Sequence, residues 1–460
     1  MQYKLGVTLA VICLFATNEA LRALVVFPIM SKSHGILGHG VVNRLLEAGI
    51  EVVHVTSFPN EKPIHNLKEI DVSSIAKSFM EDSEKSQAFE IKNIISKGNF
   101  ADSIMFVYLT YIIHQQLLEH PNVVNFLSDP NEKVDVVVSE WFFSETTAGV
   151  LSLFERRLYN SVYTEIAAKR GVPLPSYSEA VYNGSLMFIN SHPSVGSAFR
   201  LPQNAINIAG YHISDKLQTL PKDLRKLMDE AKHGVIYFSM GSNTKSSGMS
   251  ENMKQSLLNI FSKLKDTVIW KYEAELDNVP ANVHLIKWAP QQSILAHKNL
   301  KFFITHGGQL STTEALYYGV PLIGMPVGAD QSINMETVQD KGFGIKVTLA
   351  EDLADELTAA INEMLSNKAY KARAQELSMI YHDRTLKPGA ELVHWVNHVV
   401  KTRGAPHLRS PALHVPLYQK LYLDLLVVMA LTILVVCAVI RRRLNMKSTK
   451  KTLKKKDKRS

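Results

Sequence analysis

Hydrophobic positions along most of the chain alternate between short continuous apolar runs and longer amphipathic stretches. Short apolar runs bounded by turn residues are typical of buried strands, and apolar residues three or four positions apart are typical of helices. Strands that alternate with helices predict an α/β fold with parallel sheets. The predicted strands are residues 23–28, 51–57 and 134–139 in the first half, and 234–240, 267–272, 283–287, 301–305, 321–325 and 345–348 in the second.

Helices are predicted between and after these strands. They are residues 36–48, 84–97, 101–118 and 143–156 in the first half, and 251–264, 311–319, 331–341, 351–365, 367–382 and 387–402 in the second. We expect the two halves to meet near residues 205–220. Two α/β domains that face one another place a cleft between the carboxyl ends of their strands.

The N-terminal segment contains one lysine, followed by an apolar run from Leu5 to Ala16. This run is too short to span a bilayer and ends in small and polar residues, which is typical of a cleavable signal peptide. The alternative is a buried first strand or helix. We expect residues 1–20 to be a signal peptide that directs the rest of the chain into the secretory lumen.

A second apolar segment, Leu421–Ile440, has Asp424 as its single charged residue and is followed at once by Arg441–Arg443. As a helix it is about 30 Å long, which matches the hydrocarbon core of a membrane. The positive-inside rule places the arginines in the cytosol and therefore the body in the lumen. The pattern predicts a single-pass type I membrane protein, and the alternative is a buried core helix.

Residues 441–460 form a basic tail, with eleven Lys and Arg residues against one acid, Asp457. Lys456 and Lys458 resemble the lysine-based retrieval signal of endoplasmic reticulum membrane proteins; the alternative is an anchor attracted to anionic lipid. The tail more than accounts for the net charge of +8. Because this charge is not spread over a folded face, no nucleic-acid partner is expected.

Composition and spacing exclude several further classes. Hydrophobic residues make up 46% and charged residues 20% of the chain, which is ordinary for a globular protein. The two cysteines, Cys13 and Cys437, lie in the apolar terminal segments, so no disulfide is expected in the body. There is no Asp-x-Asp sequence and no His/Cys cluster with metal-ligand spacing, so we expect no metal site.

The densest chemical signal is the run from Phe303 to Gln331. A predicted strand ends in a Thr-His-Gly-Gly turn, and a predicted helix follows. Glycines let the backbone approach a ligand closely, and the N–H groups at the start of a helix favour an anion. The alternative is a glycine-rich turn with helix caps. The side chains suited to donate to an anion or to bind sugar hydroxyls are His306, Ser311, Glu314, Asp330 and Gln331.

This run resembles the signature of the UDP-glycosyltransferases, the membrane-bound family of animal glucuronosyl- and glucosyltransferases, here of the insect type. The resemblance covers Leu21–Ser152 and Asn183–Ile440 and includes the Trp-Ala-Pro-Gln-Gln sequence that begins at Trp288. It implies a GT-B fold, with two Rossmann-like domains facing a cleft and one C-terminal transmembrane helix. The implied segments are an acceptor-binding domain at 21–210, a UDP-sugar-binding domain at 211–403, a juxtamembrane segment at 404–420, a transmembrane helix at 421–440 and a cytosolic tail at 441–460.

The resemblance also implies roles for single residues in the donor site. Trp288 is expected to stack on uracil, a role that suits an indole, and Gln291 to bond the edge of the base. The diphosphate is expected at Ser242, His306 and the turn Gly308–Ser311. Glu314 is expected to bind the ribose, and Asp330 and Gln331 to bind the sugar. The UDP-sugar is a co-substrate, and no cofactor is implied.

In the first half, the resemblance implies that His34 is the general base and that Glu140 orients it. Many relatives have Asp at the latter position, so the longer Glu140 departs from the common pattern. The alternative for His34 is a loop histidine or a helix cap, and the alternative for Glu140 is an acid favoured at a helix N-terminus. Asn183 begins the lumenal Asn-x-Ser sequence and is a candidate for N-glycosylation.

The implied function is inverting transfer of a hexose from a UDP-sugar to small lipophilic acceptors, as in detoxification. One departure raises an alternative. The relatives carry a strand, a loop and a helix where this chain runs directly from Ser152 to Leu158, and no returning strand is visible after the helix at 143–156. The alternative is therefore a catalytically impaired UDP-sugar-binding isoform that modulates related transferases through homo- or hetero-oligomers.

Overall fold

The computed structural model of the protein describes residues 21–27, 29–81, 91, 111–140, 148–198 and 200–456. The predicted signal peptide and most of the predicted helices 84–97 and 101–118 lie outside these residues. The described residues up to Leu201 and from Ala205 to Ala405 form one compact unit. Residues 202–204 and the described residues from Pro406 onward form a second unit.

The strands are short, and most are rich in valine, isoleucine and phenylalanine, which favour the pleated backbone. In chain order they are β1 (Arg22–Val26), β2 (Glu51–Thr56), β3 (Leu67–Asp71), β4 (Val136–Ser139), β5 (Met187–Ile189), β6 (Ala205–Asn207), β7 (Val235–Ser239), β8 (Thr267–Lys271), β9 (Val283–Ile286), β10 (Leu300–Thr305), β11 (Leu322–Gly324) and β12 (Gly344–Lys346).

The helices connect these strands and cover the sheets. In chain order they are α1 (Lys32–Glu47), α2 (Ser73–Glu81), α3 (Pro121–Ser128), α4 (Ala148–Arg170), α5 (Tyr177–Tyr182), α6 (Lys222–Glu230), α7 (Glu251–Ser262), α8 (Gln291–Leu295), α9 (Gln309–Tyr317), α10 (Gln331–Asp340), α11 (Ala354–Ser366), α12 (Ala369–His382), α13 (Pro388–Lys401), α14 (Leu417–Lys420) and α15 (Leu423–Lys456).

The C-terminal half of the first unit is built on a six-stranded parallel sheet in the order β12-β11-β10-β7-β8-β9. Successive residues of a strand point to opposite faces, and β7 shows this directly. Ile236 and Phe238 pack into one core, whereas Val235 and Tyr237 pack into the other. Because cores cover both faces, β7 is buried along its whole length, as expected for a central parallel strand.

The N-terminal half contains a four-stranded parallel sheet in the order β3-β2-β1-β4. Its two central strands also divide their side chains between two cores, with Val25 in one and Leu24 in the other. The predicted α/β class with parallel sheets is therefore confirmed in both halves.

β4 is the outer strand of this sheet among the described residues. β5 and β6 do not extend it; they pair with each other as a separate two-stranded parallel sheet. Phe188 and Ile206 from that pair pack against the same core as Val136 and Val138 of β4. The side chain of Val137 is 55% exposed. Among the described residues β4 therefore has no strand on its outer side. Helix α4 runs as one continuous helix of 23 residues through positions 152–158.

The segment that joins the two halves is fixed by one arginine of α1. Arg44 donates from Nε to the carbonyl oxygen of Tyr211 at 3.1 Å and from Nη2 to that of Ile213 at 2.5 Å. Near the end of the first unit, α13 returns to the N-terminal sheet and places Leu392 and Val396 in its core. The two halves therefore share packing as well as a covalent connection.

The second unit contains the long helix α15. Its part Leu423–Lys447 is long and apolar enough, by length and composition, to cross a membrane, and an 18-residue window within it has a mean hydropathy of 2.9. The predicted span 421–440 thus starts two residues before this helix, and the helix continues past Ile440 to Lys456. Cys437 lies in this helix as an exposed free thiol.

Candidate active site

The predicted base and its carboxylate meet because β1 and β4 are neighbouring strands whose carboxyl ends lie at one edge of the sheet. The loop after β1 leads into α1, and His34 lies in the first turn of this helix, which begins earlier than the predicted residue 36. Glu140 follows β4 and continues its ladder, since its N–H donates to the carbonyl oxygen of Val26 at 2.9 Å. His34 Nδ1 lies 2.5 Å from Glu140 Oε1.

The His34–Glu140 pair is largely enclosed, with side chains 18% and 10% exposed. The family pattern has aspartate at the position of Glu140, and the longer carboxylate side chain still reaches the imidazole ring of His34. A carboxylate that accepts from Nδ1–H makes Nε2 the basic nitrogen, which is the state required to remove a proton. Burial, with the negative charge of Glu140 adding to it, raises the pKa of Tyr211 above its ordinary value.

The predicted donor residues lie at the carboxyl edge of the six-stranded sheet. β10, β7, β8 and β9 are successive neighbours, so the turns that follow these strands are also neighbours. This order aligns His306 after β10, Ser242 after β7 and Trp288 after β9. Ligands bind at such an edge in doubly wound folds.

The turn after β10 has the geometry of an anion site. His306 is clamped between two glycines: a Cβ atom at Gly241 would lie 2.5 Å from its ring, and one at Gly308 would lie 2.6 Å from Nε2. Gly307 has a φ of +81°, which favours glycine. Gly308 is the N-cap of α9 and provides no side-chain cap, so a ligand can bind the N–H groups of the first turn.

The imidazole ring of His306 is neutral near pH 7. Burial, and secondly the positive charge of Lys271, lower the pKa of His306 to about 4. Lys271 ends β8 with its side chain only 8% exposed. Its Nζ donates to the carbonyl oxygen of Gly241 and to Glu273 Oε1, both at 2.8 Å. This lysine supplies positive charge beside the turn and was missed by sequence reasoning, although a lysine within a strand run is unusual enough to be a signal.

Trp288 presents an open indole at the same edge. It is 58% exposed, so its ring is accessible to a base that stacks on it. The Nζ atoms of Lys32 and Lys271 lie 5.0 and 5.8 Å from its ring centroid. Lys32 belongs to α1 of the N-terminal half, so both halves contribute to this part of the cleft.

Glu314 lies in a buried network with both glutamines of the Trp-Ala-Pro-Gln-Gln sequence. Its Oε2 accepts from Gln291 Nε2 at 2.7 Å and its Oε1 from Gln292 Nε2 at 3.0 Å. Gln291 Nε2 also donates to Ser311 Oγ at 3.3 Å. His212 Nε2 approaches Glu314 Oε1 to 3.4 Å. Gln292 and His212 were not predicted as site residues. A ribose hydroxyl that binds Glu314 would replace the side-chain amides of Gln291 and Gln292 as hydrogen-bond donors to this carboxylate.

The second predicted pair lies at the start of α10. Asp330 is its N-cap and accepts from Asn334 Nδ2 at 2.7 Å. The same amide donates to the carbonyl oxygen of Gly307 at 3.0 Å, which connects this pair to the donor turn. Gln331 Oε1 accepts from the N–H groups of Val327 and Gly328 at 2.8 and 3.2 Å. Gln331 thereby fixes the preceding loop.

The remaining predicted residues occupy turns. Ser242 lies in the turn that follows β7, where the N–H of Gly241 donates to Ser239 Oγ at 3.2 Å. Asn183 is exposed at the C-cap of α5.

Comparison with known proteins identifies the class. Residues 146–459 match the family described as UDP-glucoronosyl and UDP-glucosyl transferase. UDP-glucosyltransferase 2 of Dactylopius coccus is 30% identical over 505 aligned positions, covering 96% of this chain and 96% of the relative. Human UDP-glucuronosyltransferase 3A1 is 32% identical over 260 positions, covering 55% of this chain and 49% of the relative. The first alignment has 505 positions and this chain has 460 residues, so at least 45 positions have no residue here.

Solved structures give the same fold at lower identity. A glycosyltransferase from Arabidopsis thaliana, complexed with UDP-L-rhamnose, has a TM-score of 0.57 at 16% identity and covers 83% of this chain and 100% of its own. The glycosyltransferase VinC, complexed with DTDP, has a TM-score of 0.55 at 15% identity, with coverage of 83% and 100%. The two facing halves are those of a GT-B glycosyltransferase. The chain belongs to the UDP-glycosyltransferase family, which confirms the predicted family, fold class and enzyme type.

Proposed function

We propose that the protein transfers a hexose from a UDP-sugar to a small lipophilic hydroxyl compound, with inversion at the sugar carbon, in detoxification-type conjugation. The observation that carries this proposal is the 2.5 Å contact between His34 Nδ1 and Glu140 Oε1. A histidine held by a carboxylate is the usual arrangement of a general base. One relative is named UDP-glucosyltransferase 2, which supports a UDP-sugar as the donor.

In the proposed reaction, His34 Nε2 takes the proton of the acceptor hydroxyl. The acceptor oxygen forms a bond to the anomeric carbon from the face opposite UDP, and the bond from that carbon to the phosphate oxygen breaks. Glu140 balances the positive charge that develops on the imidazole ring. Holding both reactants in one cleft supplies the entropic advantage.

The departing diphosphate gains negative charge. In this proposal the C-terminal half of the first unit stabilises that charge without a metal. The N–H groups at the start of α9, the neutral ring of His306 and the charge of Lys271 would stabilise it. Trp288 would stack on uracil. Glu314 would bind the ribose, with Gln291 and Ser311 beside it, and Asp330 and Gln331 would bind the sugar.

The proposal is tested with membranes from cells that express the chain. They are incubated with UDP-glucose or UDP-glucuronate and a panel of phenols, and the products are analysed by mass spectrometry and NMR. We expect conjugates with the anomeric configuration opposite to that of the donor. Products with retained configuration contradict inversion, and the absence of any conjugate contradicts the acceptor class.

We further propose that the protein is a type I membrane protein of the endoplasmic reticulum, with a lumenal body and a cytosolic tail. The apolar helix Leu423–Lys447 and the basic residues after it support this topology. A lumenal location would also allow glycosylation of Asn183. Protease added to intact microsomes should remove the tail and spare the body; digestion of the body with the tail intact contradicts this orientation.

A second candidate function is a donor-binding isoform with weak transfer activity that associates with related transferases. Two observations favour it: β5 and β6 form a sheet separate from β4, and at least 45 positions of a relative have no residue here. An interrupted acceptor domain would impair transfer more than donor binding. Co-expression with a complete relative, followed by co-purification and assay, tests the association; no co-purification and no change in the relative's activity contradict it.

A further inference from the structure

Three side chains that commonly bind metals converge in the N-terminal half, away from the residues of the proposed reaction. They are His39 in α1, His54 in β2 and Glu69 in β3. One ligand atom from each lies within 4.8 Å of the other two. Their positions in the sequence give no recognisable metal motif, since each comes from a different element and only the packing of α1 on the sheet joins them.

His54 is the most unusual member of this cluster. It is completely buried, and neither ring nitrogen has a hydrogen-bond partner among the described residues. Its Nδ1 lies 3.9 Å from Glu69 Oε1. Buried polar atoms are nearly always paired, so an unpaired one requires an explanation such as an ion.

The other two ligands are held by hydrogen bonds of the kind that orient metal ligands. His39 Nδ1 lies 2.8 Å from the carbonyl oxygen of Gly35, which makes Nε2 the coordinating nitrogen. The Glu69 carboxylate accepts from the backbone N–H and the side-chain amide of Asn60, both at 3.0 Å. Metal-bound histidines and carboxylates typically have such partners. Gly38 allows the close packing, because a Cβ atom there would lie 3.1 Å from His54 Nε2.

We propose that His39, His54 and Glu69 bind one Zn²⁺ ion, with water completing the coordination. Two imidazoles and one carboxylate suit zinc, whereas Mg²⁺ and Ca²⁺ prefer oxygen ligands alone. Zinc–nitrogen bonds of about 2.0–2.1 Å require the three ligand atoms to move closer together than their present separations of up to 4.8 Å. The ion would tie α1 to β2 and β3, and so would stabilise the helix that carries His34 five residues earlier. It takes no part in the transfer reaction.

The experiment uses the full chain in detergent, purified with a histidine-free tag and stripped of metal with a chelator. ZnCl2 is titrated by calorimetry, and Co²⁺ is added separately to record the visible spectrum of a tetrahedral site. We expect one equivalent of zinc to bind, a tetrahedral cobalt spectrum, and a higher thermal midpoint with zinc. Glu69→Gln and His39→Gln should each weaken binding at least about tenfold and remove the zinc-dependent rise in the midpoint.

The matched control is His284→Gln, which removes a partly buried histidine of β9 and should leave zinc binding unchanged. His54→Asn is a further variant, but the Glu69 and His39 variants decide the outcome because these side chains are less buried. Absence of zinc binding to the wild-type chain overturns the proposal. Equal binding by the wild type, Glu69→Gln and His39→Gln also overturns it, because the zinc would then be bound elsewhere. None of the three readouts, namely zinc titration, the cobalt spectrum and the thermal midpoint, depends on transferase activity.

Discussion

The C-terminal half of the first unit, with its six-stranded sheet, and the N-terminal half, with its four-stranded sheet, are called the donor half and the acceptor half after their proposed roles. They differ in how completely their sheets are closed. In the donor half, β7 is bonded on both sides and buried along its whole length. In the acceptor half, β4 has one bonded neighbour among the described residues, and its residues alternate between partly buried and exposed. Alternating exposure means that one face of the strand is less covered than the other, whereas a central parallel strand is buried on both faces.

This difference bears on the proposed reaction, which assigns donor binding to one half and the general base to the other. The turns with His306, Ser242 and Trp288 follow strands of one continuous sheet, and the N-terminal half adds Lys32 over the Trp288 ring. Glu140 follows β4, the strand whose outer edge is open. We therefore expect donor binding to be robust and transfer to be the sensitive step.

The largest expected effect is that of His34→Ala. Loss of a general base should lower transfer by about 100-fold or more, while UDP affinity should stay unchanged because the donor residues lie in the other half. Initial rates and calorimetric titration of the same preparation measure both quantities. His233→Ala, which removes an exposed histidine, is the control. Equal losses in binding and turnover would show that His34 is structural.

In the donor half, Trp288→Ala should weaken UDP binding without altering the rate at saturating donor. Loss of a base-stacking partner costs about 1–3 kcal/mol, which corresponds to roughly 5- to 150-fold in the dissociation constant. The control is Ile333→Ala, because Ile333 is also a large exposed apolar residue, with 67% exposure. Unchanged UDP affinity in Trp288→Ala would show that uracil does not stack on Trp288.

A smaller effect is expected in the acid stability of the donor half. The pKa of His306 is about 4 in the folded protein against an ordinary 6.5. Between these values the unfolded chain binds a proton that the folded chain does not, so stability falls as the pH drops from 6.5 to 4. His306→Gln should reduce this fall in the thermal midpoint, and exposed His233→Gln should not. An unchanged pH profile in His306→Gln contradicts a neutral His306.

The smallest expected effect is that of Val137→Ala in the four-stranded sheet, and Val53→Ala is its buried counterpart. Val53 lies in β2 and is fully buried, so Val53→Ala should cost about 2 kcal/mol. Val137 in β4 is 55% exposed, so Val137→Ala should change stability by less than about 0.5 kcal/mol. Chemical denaturation of both variants measures the difference. A loss at Val137 as large as that at Val53 would mean that this face of β4 is covered.

The sequence was most informative where burial is continuous. β7 and β10 are apolar runs, and the helix after β10 follows a glycine turn, so strand, turn and helix were all predicted close to their observed bounds. β3 was missed because its sequence, Leu67–Asp71, contains three charged residues, which an outer strand tolerates. α6 was missed because it is mostly charged and buries only Leu224 and Met228.

Long-range contacts in the site could not be predicted from spacing. The proximity of His34 and Glu140 was implied by the family resemblance, but the 2.5 Å contact depends on the adjacency of β1 and β4. Lys271 joins the donor turn because β8 lies beside β7. The cluster of His39, His54 and Glu69 depends in the same way on the packing of α1 against β2 and β3.

The central claim is that the donor half is complete while the acceptor half limits transfer. The most direct test measures both on one preparation of the full chain, by calorimetric titration with UDP and by product formation over a broad panel of acceptors. The account predicts saturable one-to-one UDP binding together with transfer that is slow or restricted to a few acceptors. Rapid turnover on ordinary phenols would contradict it, because the acceptor sheet would then function fully despite the separation of β4 from β5 and β6.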